Sequence, residues 1–159
     1  MTANQNQRIA IVTGATSGIG EATARKFVAA GFSVVGSGRK ADKLARLEKE
    51  LGALFVGVAG DVTDKAVQDK LFSAASKRFG RDADIVVVNA GRGLGGAVTT
   101  ADLAQFEEVL RINVTGALSL MQQAAQKMVE AQKSRYPQSA ADNGKTGGNK
   151  LAGGRLADS

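Results

Sequence analysis

The residues best suited to chemistry stand together near the start of the chain, as Thr13-Gly14-Ala15-Thr16-Ser17-Gly18-Ile19-Gly20, directly after the apolar run Ile9-Ala10-Ile11-Val12. A buried strand that breaks into a glycine turn and then a helix leaves bare backbone and a helix N-terminus above the strand. Unpaired N–H groups and the positive end of the helix dipole favour a phosphate there. The spacing is Gly14-x-x-x-Gly18-x-Gly20, not the G-x-G-x-x-G of the standard dinucleotide fingerprint. The strand before it and the helix after it still supply the context such a turn requires. A second signal lies about 20 residues further on, where NAD sites carry an acid for the ribose 2′-hydroxyl. The segment here is Gly36-Ser37-Gly38-Arg39-Lys40, with no acid. Arg39 and Lys40 can instead neutralise a 2′-phosphate, the guanidinium with paired donors. That chemistry points to NADP in preference to NAD.

Composition narrows the remaining classes. The chain has 159 residues and is 43% hydrophobic, enough for one domain with a real core. It has no Cys and no His. Cys/His metal sites, thiol nucleophiles, disulfides and Ser-His-Asp triads are therefore excluded. The first seven residues are polar and form no signal-peptide core. No apolar run approaches the roughly 18 residues of a membrane span, so a cytoplasmic location is expected. The formal charge is +6, but Lys and Arg are interleaved with Asp and Glu, as over residues 40–50, and aromatics are only 4%. A nucleic-acid partner is not expected.

The elements that must position these residues alternate between strand and helix. Strands are predicted over 8–13, 32–37, 53–58 and 84–89. Helices are predicted over 18–30, 41–51 and 63–79. Gly31 and Gly52 end the first two, and Thr63 caps the third. Leu44, Leu47 and Leu51 share one helix face, as do Val67, Leu71, Phe72 and Ala75. Helices over 100–110 and 112–133 follow. This alternation predicts an α/β fold of the Rossmann type, a doubly wound parallel sheet of about four strands. Ile85-Val86-Val87-Val88 is apolar on both faces and reads as an interior strand. Residues 1–137 are expected to form the dinucleotide-binding domain. From 138 to 159 the chain holds five glycines and only Leu151 and Leu156 as large apolar residues. It is expected to be a flexible tail.

Taken together, these residues resemble the short-chain dehydrogenase/reductase family over residues 8 to 131. Thr13 to Gly20 matches the family's T-G-x-x-x-G-x-G cofactor motif. Asp61-Val62 is similar to the family's adenine-contacting acid and its neighbour. Val88-Asn89-Ala90-Gly91 resembles its N-N-A-G motif, with Val in the first place. Asn113 in Ile112-Asn113-Val114-Thr115-Gly116 matches its helix Asn, which holds a proton-relay water. The resemblance implies reversible reduction of a ketone or aldehyde to an alcohol by hydride transfer. Gly14, Ser17, Gly18, Ile19 and Gly20 would hold the pyrophosphate, and Arg39 would select NADP. Asp61 and Val62 would flank the adenine, and Asn89, Ala90 and Gly91 would back the ribose.

The pattern also departs from that family. Its catalysis uses a Tyr as acid/base, a Lys four residues later that lowers the Tyr pKa, and a Ser that polarises the carbonyl. The one tyrosine here, Tyr136, is followed by Pro137, with Ala140 four places on. A phenol titrates near pH 10 unless a cation lowers it, so Tyr136 is not expected to be catalytic. Asn113 is then the only catalytic-class residue retained. A shortened or altered reductase with little or no activity is expected, in preference to a non-catalytic dinucleotide-binding or oligomerisation module. With no fifth strand, strand four would become an exposed apolar edge. The long helix, with Leu118, Met121, Ala125, Met128 and Val129, is expected to mediate homo-oligomerisation. Four further signals are set aside. Gly91-Arg92-Gly93-Leu94-Gly95-Gly96 is read as a loop over the nicotinamide end, and Gly144-Lys145-Thr146 has no strand before it. Asn113-Val114-Thr115 is a chance sequon, and Asp102, Glu107 and Glu108 are read as helix-surface charges.

Overall fold

The computed structural model describes residues 7–135. Four strands, β1 (Ile9–Val12), β2 (Ser33–Gly38), β3 (Phe55–Ala59) and β4 (Ile85–Val87), form one parallel sheet in the order β3-β2-β1-β4. Five α-helices connect and cover them: α1 (Gly18–Ala29), α2 (Ala41–Leu51), α3 (Lys65–Phe79), α4 (Leu103–Leu110) and α5 (Ala117–Arg135). Tyr136 and the Gly-rich segment 138–159 lie outside the described residues.

Continuous apolar strands make both faces of the sheet available for helices. All four residues of β1 are buried. On one face Ile9, Ile11 and Val35 pack with Leu71, Phe72 and Ala75 of α3 and with Leu120 and Ala124 of α5. On the other, Val12 and Val34 pack with Ala24 of α1 and with Leu44 and Leu47 of α2. Among the described residues no helix is long and apolar enough to cross a membrane.

Strand four, interior by its own residues, stands at the sheet edge among the described residues, as expected where no fifth strand follows. It pairs only with β1, over three residues, and its side chains are half-buried. Both ends are closed by side chains. Asp84 accepts from the Ile9 backbone N–H at 2.9 Å, and the Thr13 hydroxyl takes the N–H groups of Asn89 and Ala90. Two expectations need correction. Helix three is capped by Asp64, whose carboxylate accepts from Ala66 N–H at 3.0 Å. Thr63 is engaged elsewhere, donating from its backbone and hydroxyl to Asp61. The helix predicted over 112–133 is not uniform. A wide π-helical turn, Arg111–Gly116, links α4 to α5. Such turns are rare, and those that occur are frequent at functional sites. Here the Asn113 side chain grips the backbone of Arg92, with Oδ1 accepting from its N–H at 3.0 Å and Nδ2 donating to its carbonyl at 2.9 Å.

Candidate functional site

The sheet order reverses between β1 and β4, since the chain builds outward from β1 to β3 and then returns to the other side. Crevices at the carboxyl ends of strands bordering such a point are the usual ligand sites of open α/β sheets. A cleft of ≈ 350 Å³ occupies that position. Gly14, Ser17, Gly18, Ile19, Arg39, Asp61, Val62, Asn89, Ala90 and Gly91 all line it. Residues 76 apart in sequence, such as Thr13 and Asn89, meet beneath it.

The glycine turn is built from below. Gly14 has φ +69°, and a Cβ there would lie 3.0 Å from Asn89 Nδ2 and 3.1 Å from Ala90 Cα. Gly20 is buried beneath the turn and does not line the cleft. A Cβ on it would stand 2.2 Å from the Gly14 carbonyl oxygen, a distance no real Cβ tolerates. Its part is to let α1 pack under the turn. Gly18, with φ +52°, would add a Cβ into open space. The backbone above α1 is therefore bare, as a phosphate group would need. Ser17 caps α1 in extended conformation but spends no side-chain hydrogen bond on the cap.

Thr13 joins the two sides of the cleft. Fully buried, its hydroxyl donates to the Val87 carbonyl at 3.3 Å and accepts from the N–H groups of Asn89 and Ala90 at 2.9 and 3.0 Å. Asn89 Nδ2 returns a bond to the Thr13 carbonyl at 3.0 Å. The second wall begins where β2 ends. A Cβ on Gly38 would meet Thr16 Cγ2 at 2.4 Å, so glycine there admits the Thr16 side chain. Arg39 follows, exposed, and among the described residues no salt bridge engages it. Its charge is free for an anion.

Asp61 is held in its ionised form. The Thr63 N–H is the main influence drawing its pKa below the ordinary aspartate value, with the Thr63 hydroxyl and Arg111 adding to it against the opposing effect of burial. The carboxylate is an acceptor at neutral pH.

Asn113 stands behind the cleft instead of in it, with its amide committed to the Arg92 backbone. Among the decoys, Asp102 caps α4 by accepting from Ala104 N–H at 2.9 Å, and Glu108 pairs with Arg111. Sequence reasoning did not single out Thr16, Arg92 and Ile112 as lining residues, nor Arg111 as a partner of Asp61. Thr16 lies inside the glycine motif and could have been found there. Arg111 gave no signal, because its partner lies 50 residues away.

The family model described as short chain dehydrogenase matches residues 8–150. The chain is 44% identical over 111 residues to serine 3-dehydrogenase of Agrobacterium fabrum, a match covering 69% of this chain and 44% of that protein. It is 33% identical over 121 residues to a probable NADP-dependent dehydrogenase of Haemophilus influenzae, covering 76% and 48%. Among solved structures it is similar to 3-ketoacyl-(acyl-carrier-protein) reductase from Brucella melitensis complexed with NADH. That likeness has a TM-score of 0.68 and 32% identity, covering 73% of this chain and 48% of that one. The chain thus spans about half the length of the curated relatives it matches.

Proposed function

Because this chain belongs to the short-chain dehydrogenase family, whose members pair a nicotinamide dinucleotide with a small-molecule substrate, we propose that residues 1–137 bind NADP(H) in the cleft above β1 and β4. The backbone of Gly14, Ser17, Gly18 and Ile19, over the N-terminus of α1, takes the pyrophosphate, with Gly20 packed beneath. Arg39 pairs with the 2′-phosphate. Asp61 and Val62 flank the adenine, and Asn89, Ala90 and Gly91 back the nicotinamide ribose. The observation that carries this reading is the bare glycine turn facing an open cleft whose far wall ends in the exposed Arg39.

When bound, the nicotinamide supplies or accepts a hydride, and the parent reaction is interconversion of a ketone or aldehyde with an alcohol. This chain's residues bind and orient. None of them forms the family's Ser-Tyr-Lys set, since Tyr136 has Ala140 where a lysine would stand. Asn113 keeps the position of the relay Asn. We assign the 159-residue chain cofactor binding with little or no turnover, in the cytoplasm.

Relatives and neighbours carry both cofactor names, NADP in one and NADH in another. Arg39 is what favours NADP here. Calorimetric titration of the 159-residue chain with NADPH and NADH tests this. Tighter NADPH binding, lost in Arg39→Ala, supports the assignment. Equal binding of the two, or an Arg39→Ala variant that keeps the preference, refutes it.

A second reading, a non-catalytic module that self-associates, is favoured by the outer face of α5. Leu118, Met121 and Val129 are each about half exposed there, a run of apolar surface on one helix. Association through this face is compatible with cofactor binding.

A further inference from the structure

The wall of the cleft formed by Asp61 has a support that the sequence motif does not contain. Arg111, the first residue of the wide turn, is exposed, yet its guanidinium is fully directed. Nε and an Nη donate to the two oxygens of Glu108 at 2.7 and 2.8 Å. The same Nη reaches Asp61 Oδ2 at 3.3 Å, and the other Nη donates to the Thr63 hydroxyl. That hydroxyl in turn donates to Asp61 Oδ1 at 2.8 Å, where the Thr63 N–H also donates at 2.9 Å. Oδ1 therefore has two donors, while Oδ2 has one and keeps an acceptor position.

The support is rigid at both ends. Glu108 lies on α4, three residues before Arg111, and clamps the guanidinium as a planar fork, a geometry lysine cannot reproduce. Gly116 closes the turn against Thr63, whose Cγ2 would lie 2.8 Å from a Cβ added there. The fully buried Gln68 donates to the Val62 carbonyl at 2.9 Å and accepts from Ser119 at 3.0 Å. The loop carrying Asp61 and Val62 is thus pinned from the α4–α5 side by two independent contacts, one charged and one buried.

We infer that Arg111 is a positioning residue for purine selection: with Thr63 it fixes the Asp61 carboxylate so that Oδ2 stays available to an amino donor, favouring 6-amino over 6-oxo purine dinucleotides. The inference rests on the reading of this cleft as a dinucleotide site. An adenine presents an exocyclic N–H₂ to that oxygen. A hypoxanthine presents a carbonyl oxygen at the same place, acceptor against acceptor, and a site built around a fixed polar group rejects such an analogue strongly. If Arg111 is removed, the carboxylate loses its Oδ2 anchor and can turn away, and discrimination falls although the cleft remains.

The test is the ratio of dissociation constants for NADPH and its hypoxanthine analogue, measured by calorimetry on the full 159-residue chain. The unsubstituted chain should prefer NADPH by about tenfold or more, as loss of a hydrogen bond to a charged acceptor implies. In Arg111→Met the affinity for NADPH should drop while that for the analogue holds within about twofold, so that the ratio collapses. Equal weakening of both ligands, or an unchanged ratio, overturns the assignment to Arg111. Asp61→Asn is the companion. If it abolishes the preference and Arg111→Met does not, the Arg111 inference fails and the cleft reading stands. If the unsubstituted chain shows no preference, or Asp61→Asn leaves it intact, the adenine assignment itself fails. Should Arg111→Met not fold, Thr63→Val carries the same test, since it removes the bridging hydroxyl and keeps the methyl that packs on Gly116. An unchanged ratio in that variant overturns the inference equally.

Discussion

Replacing Thr13 by Val should unseat β4 although the two side chains have nearly the same shape. The hydroxyl has three partners: it donates to the Val87 carbonyl and accepts from the backbone N–H groups of Asn89 and Ala90. The Val87 carbonyl keeps a second donor, the Thr13 N–H at 3.0 Å, so its loss is small. Among the described residues the two N–H groups have no other partner, so they become orphans in a half-buried setting. A buried orphan costs about 1–3 kcal/mol. Halving that for partial exposure and counting two leaves about 1–3 kcal/mol in all, a large share of the ordinary stability of a small domain. Thr13→Ser keeps the hydroxyl and loses one buried methyl, worth about 0.8 kcal/mol. Urea denaturation followed by circular dichroism measures both. The reasoning predicts that Val is worse than Ser and that the slope of the transition is unchanged. A Val variant as stable as the parent, or a Ser variant as damaged as Val, would show that packing and not the hydroxyl closes the cleft.

Other outcomes follow from the same geometry. Gly20→Ala forces a Cβ to within 2.2 Å of the Gly14 carbonyl oxygen, so it should cost about 1–3 kcal/mol or more by overpacking and abolish NADPH binding. Gly93→Ala, with nothing within 4 Å, should leave both the melting temperature and the titration unchanged. If Arg39 pairs with the 2′-phosphate as proposed, Arg39→Ala should weaken NADPH about tenfold or more, with NADH unaffected, read by fluorescence titration. Stability should fall in acid. Asp61 and Glu108 both have folded pKa values below the ordinary 3.8 and 4.5. The unfolded chain therefore binds more protons in that window, and stability present above it is lost as pH falls through the folded values. Thermal melts from pH 6 downward should show this, and Asp61→Asn should flatten the decline. Met121→Glu should lower the mass measured by sedimentation to that of one chain; a parent chain already monomeric at the same concentration refutes the association through α5.

How far the fold could be read depended on whether the determining contact was local. Helix α2 was legible to the residue, Ala41–Leu51, because Leu44, Leu47 and Leu51 repeat at 3,4 spacing and Gly52 follows. The end of β2 was legible to within one residue, expected at 37 and found at Gly38, where glycine and serine give way to Arg39. The start of β3 was misread by two residues, since Ala53 and Leu54 fall in a short 3₁₀ turn that no residue type announces. Thr63 and Asp64 are both good caps, and the choice between them was made by Asp61, which captures Thr63. The wide turn at 111–116 could not be read from its own residues. The Asn113 side chain within it bonds the Arg92 backbone, 21 residues back, a contact its own residues do not announce. Gln68 was invisible for a related reason. It lies on the buried side of α3 among Val67, Leu71 and Phe72, and a polar residue there looks like an error until its partners Val62, Gly116 and Ser119 are known.

These distant contacts converge on one consequence for the cleft. β1 is buried throughout, but β4, which carries the wall ending in Asn89, Ala90 and Gly91, is held by three register pairs and by the side chains of Asp84 and Thr13 at its ends. Its own Ile85, Val86 and Val87 remain half-buried. Such a strand sits at the low end of local stability, where opening requires little loss of apolar contact. The wall on the other side, at Asp61, is clamped by Arg111 and Gln68 to the same α4–α5 connection that grips Arg92 through Asn113. A dinucleotide spanning from Asp61 to Asn89 would touch both the firm wall and the soft one, binding the closed arrangement in preference to the open one. By mass action it must then stabilise β4 against β1 in proportion to its concentration over its dissociation constant. For a dinucleotide bound as proposed, affinity and cohesion of the sheet edge would be one equilibrium, and a substitution that loosens β4 would weaken binding without touching a single lining residue.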